Sequence, residues 1–304
     1  MKSLLPLLLL IACLPARAYE PKAEQVVDNV YAIVGPLAQR NQDNDGLNNN
    51  SGFIVTNEGV ILIDPGASML GAEKLAGAIA KVSRQPVRWV INTGGQDHRW
   101  LGNDYFAAKG AELIALERTA QTQARFAERQ MSSLKGFLGE RLKGTTPRPA
   151  TRLLKGDKAR INLGGFELVL RYTDAHYPGD AWVWLPKQKV IFTGDLVYVD
   201  RLLGVFPWSS VIMAQTSFQA MEGLAPKHIV PGHGRVCGLK QARAETGDYY
   251  DFLVNTIGEA AREMEPMDEV INRYSRLPAF EHLEHYDNLH RRNMNQTFLE
   301  FEAM

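Results

Sequence analysis

The sequence predicts an α/β protein, and two observations carry that reading. Short β-branched strands alternate with helical stretches, first over residues 52–143 and again over 166–230. Four of the strand ends carry a polar residue beside glycine: Asp97-His98, His176, Asp195 and His233. Loops held at the ends of a rigid sheet are where binding and catalytic groups concentrate.

The elements follow in order. Val30 to Val34 alternates like a strand. Asn41 to Asn50, rich in Asn and Asp, reads as a mobile loop able to cover a site. Gly52–Thr56 and Val60–Asp64 read as a hairpin around Asn57-Glu58-Gly59. Ser68 is placed to cap a helix running to about Ser83. Val87–Ile91 is a strand that two glycines interrupt before Asp97-His98, and a helix begins from Trp100 onward. Ala111–Ala115 is a strand, and a charged helical stretch covers residues 117–143. The break Gly144 to Pro149 is the expected boundary between two halves. In the second half, Phe166–Tyr172 leads into Asp174-Ala175-His176-Tyr177-Pro178-Gly179-Asp180. The strands Ala181–Leu185 and Val190–Phe192 follow, the latter ending in Thr193-Gly194-Asp195. A helix near 210–223 precedes the last short strand, His228 to Val230, which runs into Pro231-Gly232-His233-Gly234. From Leu239 onward the chain reads as amphipathic helix.

Three parts are expected: a leader over residues 1–18, a catalytic-type domain over 19–240, and a helical extension over 241–304 packed on it. Lys2, the apolar run Leu4–Ala12 and Ala16-Arg17-Ala18 have the order of a signal peptide, which implies a periplasmic protein. Leu10-Ile11-Ala12-Cys13 also fits a lipobox, which would anchor the chain through Cys13. The run is too short to span a bilayer, and no other transmembrane span is present. With only Cys13 and Cys237 no disulfide framework can be read, and Cys237 is expected as a small buried residue. Lys plus Arg and Asp plus Glu number 34 each, so no net field favours nucleic acid. A small-molecule substrate is the expected partner.

If the four strand ends converge, three imidazoles and two carboxylates share one hollow. That set suits zinc, manganese or ferrous iron. A divalent ion there lowers the pKa of bound water and polarises a carbonyl or phosphoryl group.

These pieces, in this order, are similar to the metallo-β-lactamase superfamily. The matching stretches are Leu62 to Gly66, Asn92 to Asn103, Ala175 to Asp180, Phe192 to Asp195 and Val230 to Gly234. The resemblance implies a four-layer αβ/βα sandwich, two sheets face to face with helices outside. It implies that His176 serves a first metal, that Asp195 bridges two metals, and that Asp97, His98 and His233 serve a second. Asp64 and Asp180 then brace these ligands. Gln96, Arg99 and Tyr177 are further candidates, as auxiliary ligand or substrate contacts. Trp100 is expected in the core, Arg99 beside an acid, and His228, His282, His285 and His290 in structural or solvated places.

The departure from the family is in its central motif, His-x-His-x-Asp-His, where this chain has Gly94-Gly95-Gln96-Asp97-His98. Both early histidines are missing. A one-residue shift keeps Asp97-His98 in the Asp-His place. An ungapped match instead sets Gln96 at the second histidine and His98-Arg99 in the Asp-His place. In either register the first metal site loses most of its ligands and one ion, zinc above all, is expected. The implied function is an exported metal-dependent hydrolase, with metal-bound hydroxide attacking an ester, thioester, amide or phosphoester and Asp97 orienting the water. The terminal segments resemble exported hydrolase-like proteins found beside sulfur-oxidation and quinoprotein systems. The alternative is a non-catalytic metal-binding accessory protein with an envelope redox partner, and a third reading is redox chemistry at non-haem iron. An Arg99 side chain in the metal position would count against hydrolysis.

Overall fold

The structure, a computed structural model, describes residues 19–304; the leader segment and Cys13 lie outside the described residues. Two sheets face each other. The first has seven strands in chain order: β1 (Ala23–Val27), β2 (Val30–Ile33), β3 (Ser51–Thr56), β4 (Gly59–Ile63), β5 (Val87–Ile91), β6 (Glu112–Leu116) and β7 (Arg152–Leu154). It is antiparallel from β1 to β4 and parallel from β4 to β7. The second runs β12-β11-β10-β9-β8, from β8 (Lys158–Leu163), β9 (Phe166–Tyr172), β10 (Ala181–Leu185), β11 (Val190–Phe192) and β12 (His228–Val230).

The period-two alternation of the strands decides the layers. In β4, Ile61 and Ile63 face the second sheet and meet Leu168, Leu170 and Val183, while Val60 and Leu62 face helices. In β10, Ala181, Val183 and Leu185 face the first sheet, while Trp182 and Trp184 face the helices on the other side. Each sheet is therefore buried on both faces. Fully burying one such aliphatic side chain contributes about 1.5–3 kcal/mol. Helices α1 (Met69–Ala80) and α2 (Asn103–Ala107) cover the first sheet. Helix α3 (Glu117–Leu138) packs Leu134 and Leu138 around Trp100. Helix α4 (Val211–Glu222) and the C-terminal helices cover the second sheet. This is the expected α/β four-layer arrangement.

Helix α1 starts where Ser68 accepts a bond from the Gly71 amide at 2.9 Å, an N-cap as expected from the sequence. The C-terminal run 239–262 is helical throughout, with π-wound turns at Arg243–Gly247 and Leu253–Gly258. Its Tyr249, Leu253 and Ile257 join Met294 and Phe298 of the last helix, Tyr286–Glu302, against Trp182 and Ile229. Residues 241–304 thus share the core of the second sheet. Among the described residues no helix is long and apolar enough to cross a membrane.

Two expectations change. The break at 144–149 does not part the halves, because β7 beyond it pairs with β6 in the first sheet. The true changeover falls between β7 and β8. Strands β1 and β8 lie at sheet edges and are partly exposed, with polar residues among the apolar ones, which weakens the apolar signal. The polar stretch 41–50 is a packed loop, with Leu47 and residues 48–50 buried. The Asn44 and Asn41 side chains bond to backbone amides within it, and buried Asp45 pairs with Lys74 and Arg141, each at 3.0 Å.

Candidate metal centre

Asp64, directly after β4, sits at φ 59°, a conformation that Asp tolerates better than most residues. Its carboxylate accepts the Thr93 amide at 2.7 Å, the Thr93 hydroxyl at 2.6 Å and Arg99 Nη1 at 2.9 Å. The loop after β5 is held from α3. Gln123 donates to the Asn92 amide oxygen and to the Gly94 carbonyl, and Gln130 donates to the Gly95 carbonyl at 2.8 Å. The two glutamines are seven residues apart, so they share one face of α3. A Cβ at Gly94 would lie 2.8 Å from Asp180 Oδ1, so this loop position has no space for a side chain.

Asp97, His98 and Arg99 form one 3₁₀ turn, and their side chains diverge. Arg99 is buried and turns toward the sheets. Its Nε lies 3.1 Å from Asp195 Oδ2, its Nη2 2.5 Å from Asp195 Oδ1, and its Nη1 reaches Asp64 and the Asn50 carbonyl. A Cβ at Gly232 would fall 2.7 Å from that guanidinium, so glycine there makes its room. His98 turns into the hollow, with Nε2 3.0 Å from Asp195 Oδ2. Asp97 turns the other way and pairs with Arg40. It also accepts the His98 amide at 2.7 Å.

His233, after β12, places Nε2 3.2 Å from Asp195 Oδ1, and its Nδ1 bonds to the Asn48 carbonyl at 2.7 Å. That bond fixes the ring and leaves Nε2 to face the hollow, the usual support of a metal-binding imidazole. The Tyr198 hydroxyl donates to Asp195 Oδ1 at 3.1 Å and lies 3.4 Å from His176 Nε2. His176 lies on the wall of the same cavity, of about 60 Å³, as Gln96, His98 and His233. Gln96 Oε1 is buried there without a partner. Tyr177 stands outside, touching Gln130, Phe126 and Trp208.

Burial opposes the charge on Asp195, but Arg99 and His98 outweigh it and hold its carboxyl well below the usual range. Burial likewise opposes charge on Asp97, and Arg40 with His98 brings its pKa down. Burial lowers His176 to about 4, so its ring is neutral near pH 7. Burial, with Arg201 nearby, pushes His233 well below 6.5. Burial and the Asp195 charge keep the Tyr198 proton in place.

The residues brought together are His98, Asp195 and His233, whose donor atoms all lie within 4.8 Å of one another. Two imidazoles and a carboxylate, with neutral His176 adjacent, fit one zinc-like ion. They do not supply a second set. Asp97 is outside this group: its carboxylate holds Arg40 and orients His98. The observed geometry thus agrees with the ungapped register, with His98 in the carboxylate's place and Arg99 after it. No local pattern in the sequence singles out Arg40, Asn48, Tyr198 or Arg201. Gln123 and Gln130 carry one signal, their common face on a helix that otherwise reads as charged. His228 is half-buried on β12, while His290 is buried between Tyr249 and the Tyr274 carbonyl.

Comparison with known proteins agrees with this architecture. The metallo-β-lactamase IND-1 of Chryseobacterium indologenes is 26% identical over 189 residues, 60% of this chain and 71% of the relative. The solved sec-alkylsulfatase Pisa1 from Pseudomonas sp. superposes with a TM-score of 0.71 at 16% identity, over 92% of this chain and 50% of that one. The present chain therefore spans half the length of that structure. The DIM-1 metallo-β-lactamase superposes with a TM-score of 0.59 at 19% identity, over 77% of this chain and 98% of the other. At such identities these structures support the fold alone. The family model for the metallo-beta-lactamase superfamily matches residues 44–233, most of the described chain, and the protein belongs to that superfamily.

Proposed function

We propose that this protein is a single-ion metallohydrolase that cleaves a small ester-type substrate. One observation carries the reading: His98, Asp195 and His233 converge within 4.8 Å on the wall of a cavity, in a fold that positions metal ligands at those strand ends. A bound zinc-like ion would activate water and polarise the scissile group. The chain's own residues do the rest. Asn48 fixes the His233 ring, and Asp97 fixes the His98 ring through Nδ1 at 3.1 Å. Arg99 and Tyr198 hold Asp195 ionised and in place. Neutral His176 offers a hydrogen-bonding nitrogen to whatever enters the cavity. In this reading Asp97 is a positioning residue.

A second reading has its own observation. Arg99 engages both oxygens of Asp195, which takes up acceptor capacity that a metal would use. That favours a metal-binding accessory protein without turnover. Export, a periplasmic location and an envelope redox partner, expected from the leader and terminal segments, belong to the same proposal.

Elemental analysis and turnover assays separate the two. Mature chain, an H98A/H233A double variant and Asp97→Ala are compared for zinc, iron and manganese. They are then offered carboxylic, thio-, phosphate and sulfate esters and a β-lactam. One ion per chain, lost in the double variant, with turnover of any ester supports the hydrolase. One ion without turnover favours the accessory protein. No ion after zinc soaking defeats both.

A further inference from the structure

Arg201 is the one buried guanidinium of the hollow that has no carboxylate partner. It is 5% exposed, and among the described residues it forms no ion pair. Its Nη1 donates to the Leu37 carbonyl at 3.0 Å, and its Nε has no partner. Arg99 differs sharply, since it meets both Asp64 and Asp195. Arg40, on the same cavity, uses Nη1 on Asp97 and the His98 ring. Asp195 and Glu284 favour the Arg201 charge only from beyond ion-pair distance, and a buried charge without a contacting partner is costly to keep unless something else completes it. A guanidinium fork matches the paired oxygens of a carboxylate, sulfate or phosphate.

We propose that Arg201, assisted by Arg40, is an oxyanion subsite of this hollow and that the substrate carries an anionic head group. The statement about substrate rests on the hydrolase reading; the anion site itself does not. The cavity, of about 60 Å³, is small and lined by Arg201, Arg40, His176 and His233, so the end of a substrate that enters it is a compact polar head group. The organic remainder lies outward, toward Phe206, which lines the cavity and stacks on Trp208 at 5.4 Å. Trp208 is 40% exposed, which leaves an aromatic face for an apolar tail. The predicted substrate class is therefore an organic acid derivative, with the oxyanion inward and the apolar body on the aromatic rim.

The test is calorimetric binding of sodium sulfate, phosphate and acetate at constant ionic strength, against sodium chloride. It uses the full mature chain both zinc-loaded and chelator-treated, because an ion in the site would itself attract anions. Saturable binding of at least one oxyanion in the metal-free protein is expected. It should weaken at least tenfold in Arg201→Gln, recover in part in Arg201→Lys, and stay unchanged in the exposed control Arg235→Gln. If Arg201→Gln does not fold, Arg201→Lys and Arg40→Gln must each still lose several-fold. Absence of binding in the chelated wild type, or equal binding by the Arg201 variants, overturns the subsite. Anion binding without turnover of any ester defeats the hydrolase and leaves the subsite standing. Turnover with KM for an anionic ester unchanged in Arg201→Lys does the reverse.

Discussion

The hollow has two sides that differ in what they kept. On one side the loop Gly94-Gly95-Gln96 offers no imidazole, and neighbouring residues fill the space beside its glycines. On the other, His98, Asp195 and His233 converge and are each braced by a further residue. The lost side is closed by packing, since Thr122 and Pro178 crowd Gly95 as Asp180 crowds Gly94. The kept side is held by charge. The difference is one of packing against charge: the glycine loop is closed by its neighbours, while the strand ends bearing His98, Asp195 and His233 keep their donor atoms within 4.8 Å of one another.

The largest effect should come from the charge that holds the kept side. Arg99→Ala leaves Asp64 and Asp195 buried without their shared partner. Removing one member of such a buried set costs about 3–5 kcal/mol, read as a shift in the urea midpoint. Arg99→Lys should recover little, because an ammonium cannot reproduce the fork that engages two carboxylates. A loss under about 1 kcal/mol in the alanine variant would mean that Arg99 does not hold the floor of the hollow.

Acid should distinguish the sides next, through His176. Its folded pKa of about 4 lies below the ordinary 6.5. The unfolded chain therefore takes up this proton first as pH falls. The contribution, about 3 kcal/mol at about 1.4 kcal/mol per pKa unit, is complete above pH 6.5 and is lost as pH falls through about 4. Urea unfolding of metal-free protein at several pH values between 7.5 and 4 should show that slope. His176→Gln should flatten it, and an unchanged slope would show that the acid sensitivity arises elsewhere.

Restoring the first lost imidazole tests the packing of the other side. Gly94→His puts a Cβ 2.8 Å from Asp180 Oδ1 and 3.1 Å from Arg99 Cγ. Overpacking of this kind costs about 1–3 kcal/mol. Thermal unfolding at neutral pH checks it, and a variant as stable as the parent would mean the loop yields readily.

The sequence announces the fold far better than it announces the site. Strands such as Gly59–Ile63 and Ala181–Leu185 are continuous apolar runs because both faces are buried, and they are plain to read. Strand ends beside glycine single out His176, Asp195 and His233, which the structure places around one hollow. What local pattern does not determine is direction. Three consecutive residues, Asp97, His98 and Arg99, point three ways because a 3₁₀ turn spaces side chains about 120° apart. A carboxylate is the expected ligand at this place, whereas the turn sends Asp97 to Arg40 and His98 inward. Arg40, Asn48 and Arg201 come from loops that reach the site only through tertiary packing, which no periodicity records.

The smallest effect belongs to Gln96→His, and it tests the comparison most closely. Gln96 is half-buried in an extended conformation, and its Oε1 faces the cavity without a partner. An imidazole there meets no crowded glycine and replaces an unsatisfied amide, so stability should change by about 0.5 kcal/mol or less. The new ring and His176 would then be the only imidazoles on the lost side. Three protein ligands are the usual minimum for a catalytic zinc, and Asp195 is already committed to Arg99 and to the kept side. The variant should therefore still hold one ion per chain by elemental analysis, and hold it more tightly against a chelator. A second ion at full occupancy would show that one ligand alone separates this hollow from a two-metal centre, and that the loss on the glycine side is shallower than the packing indicates.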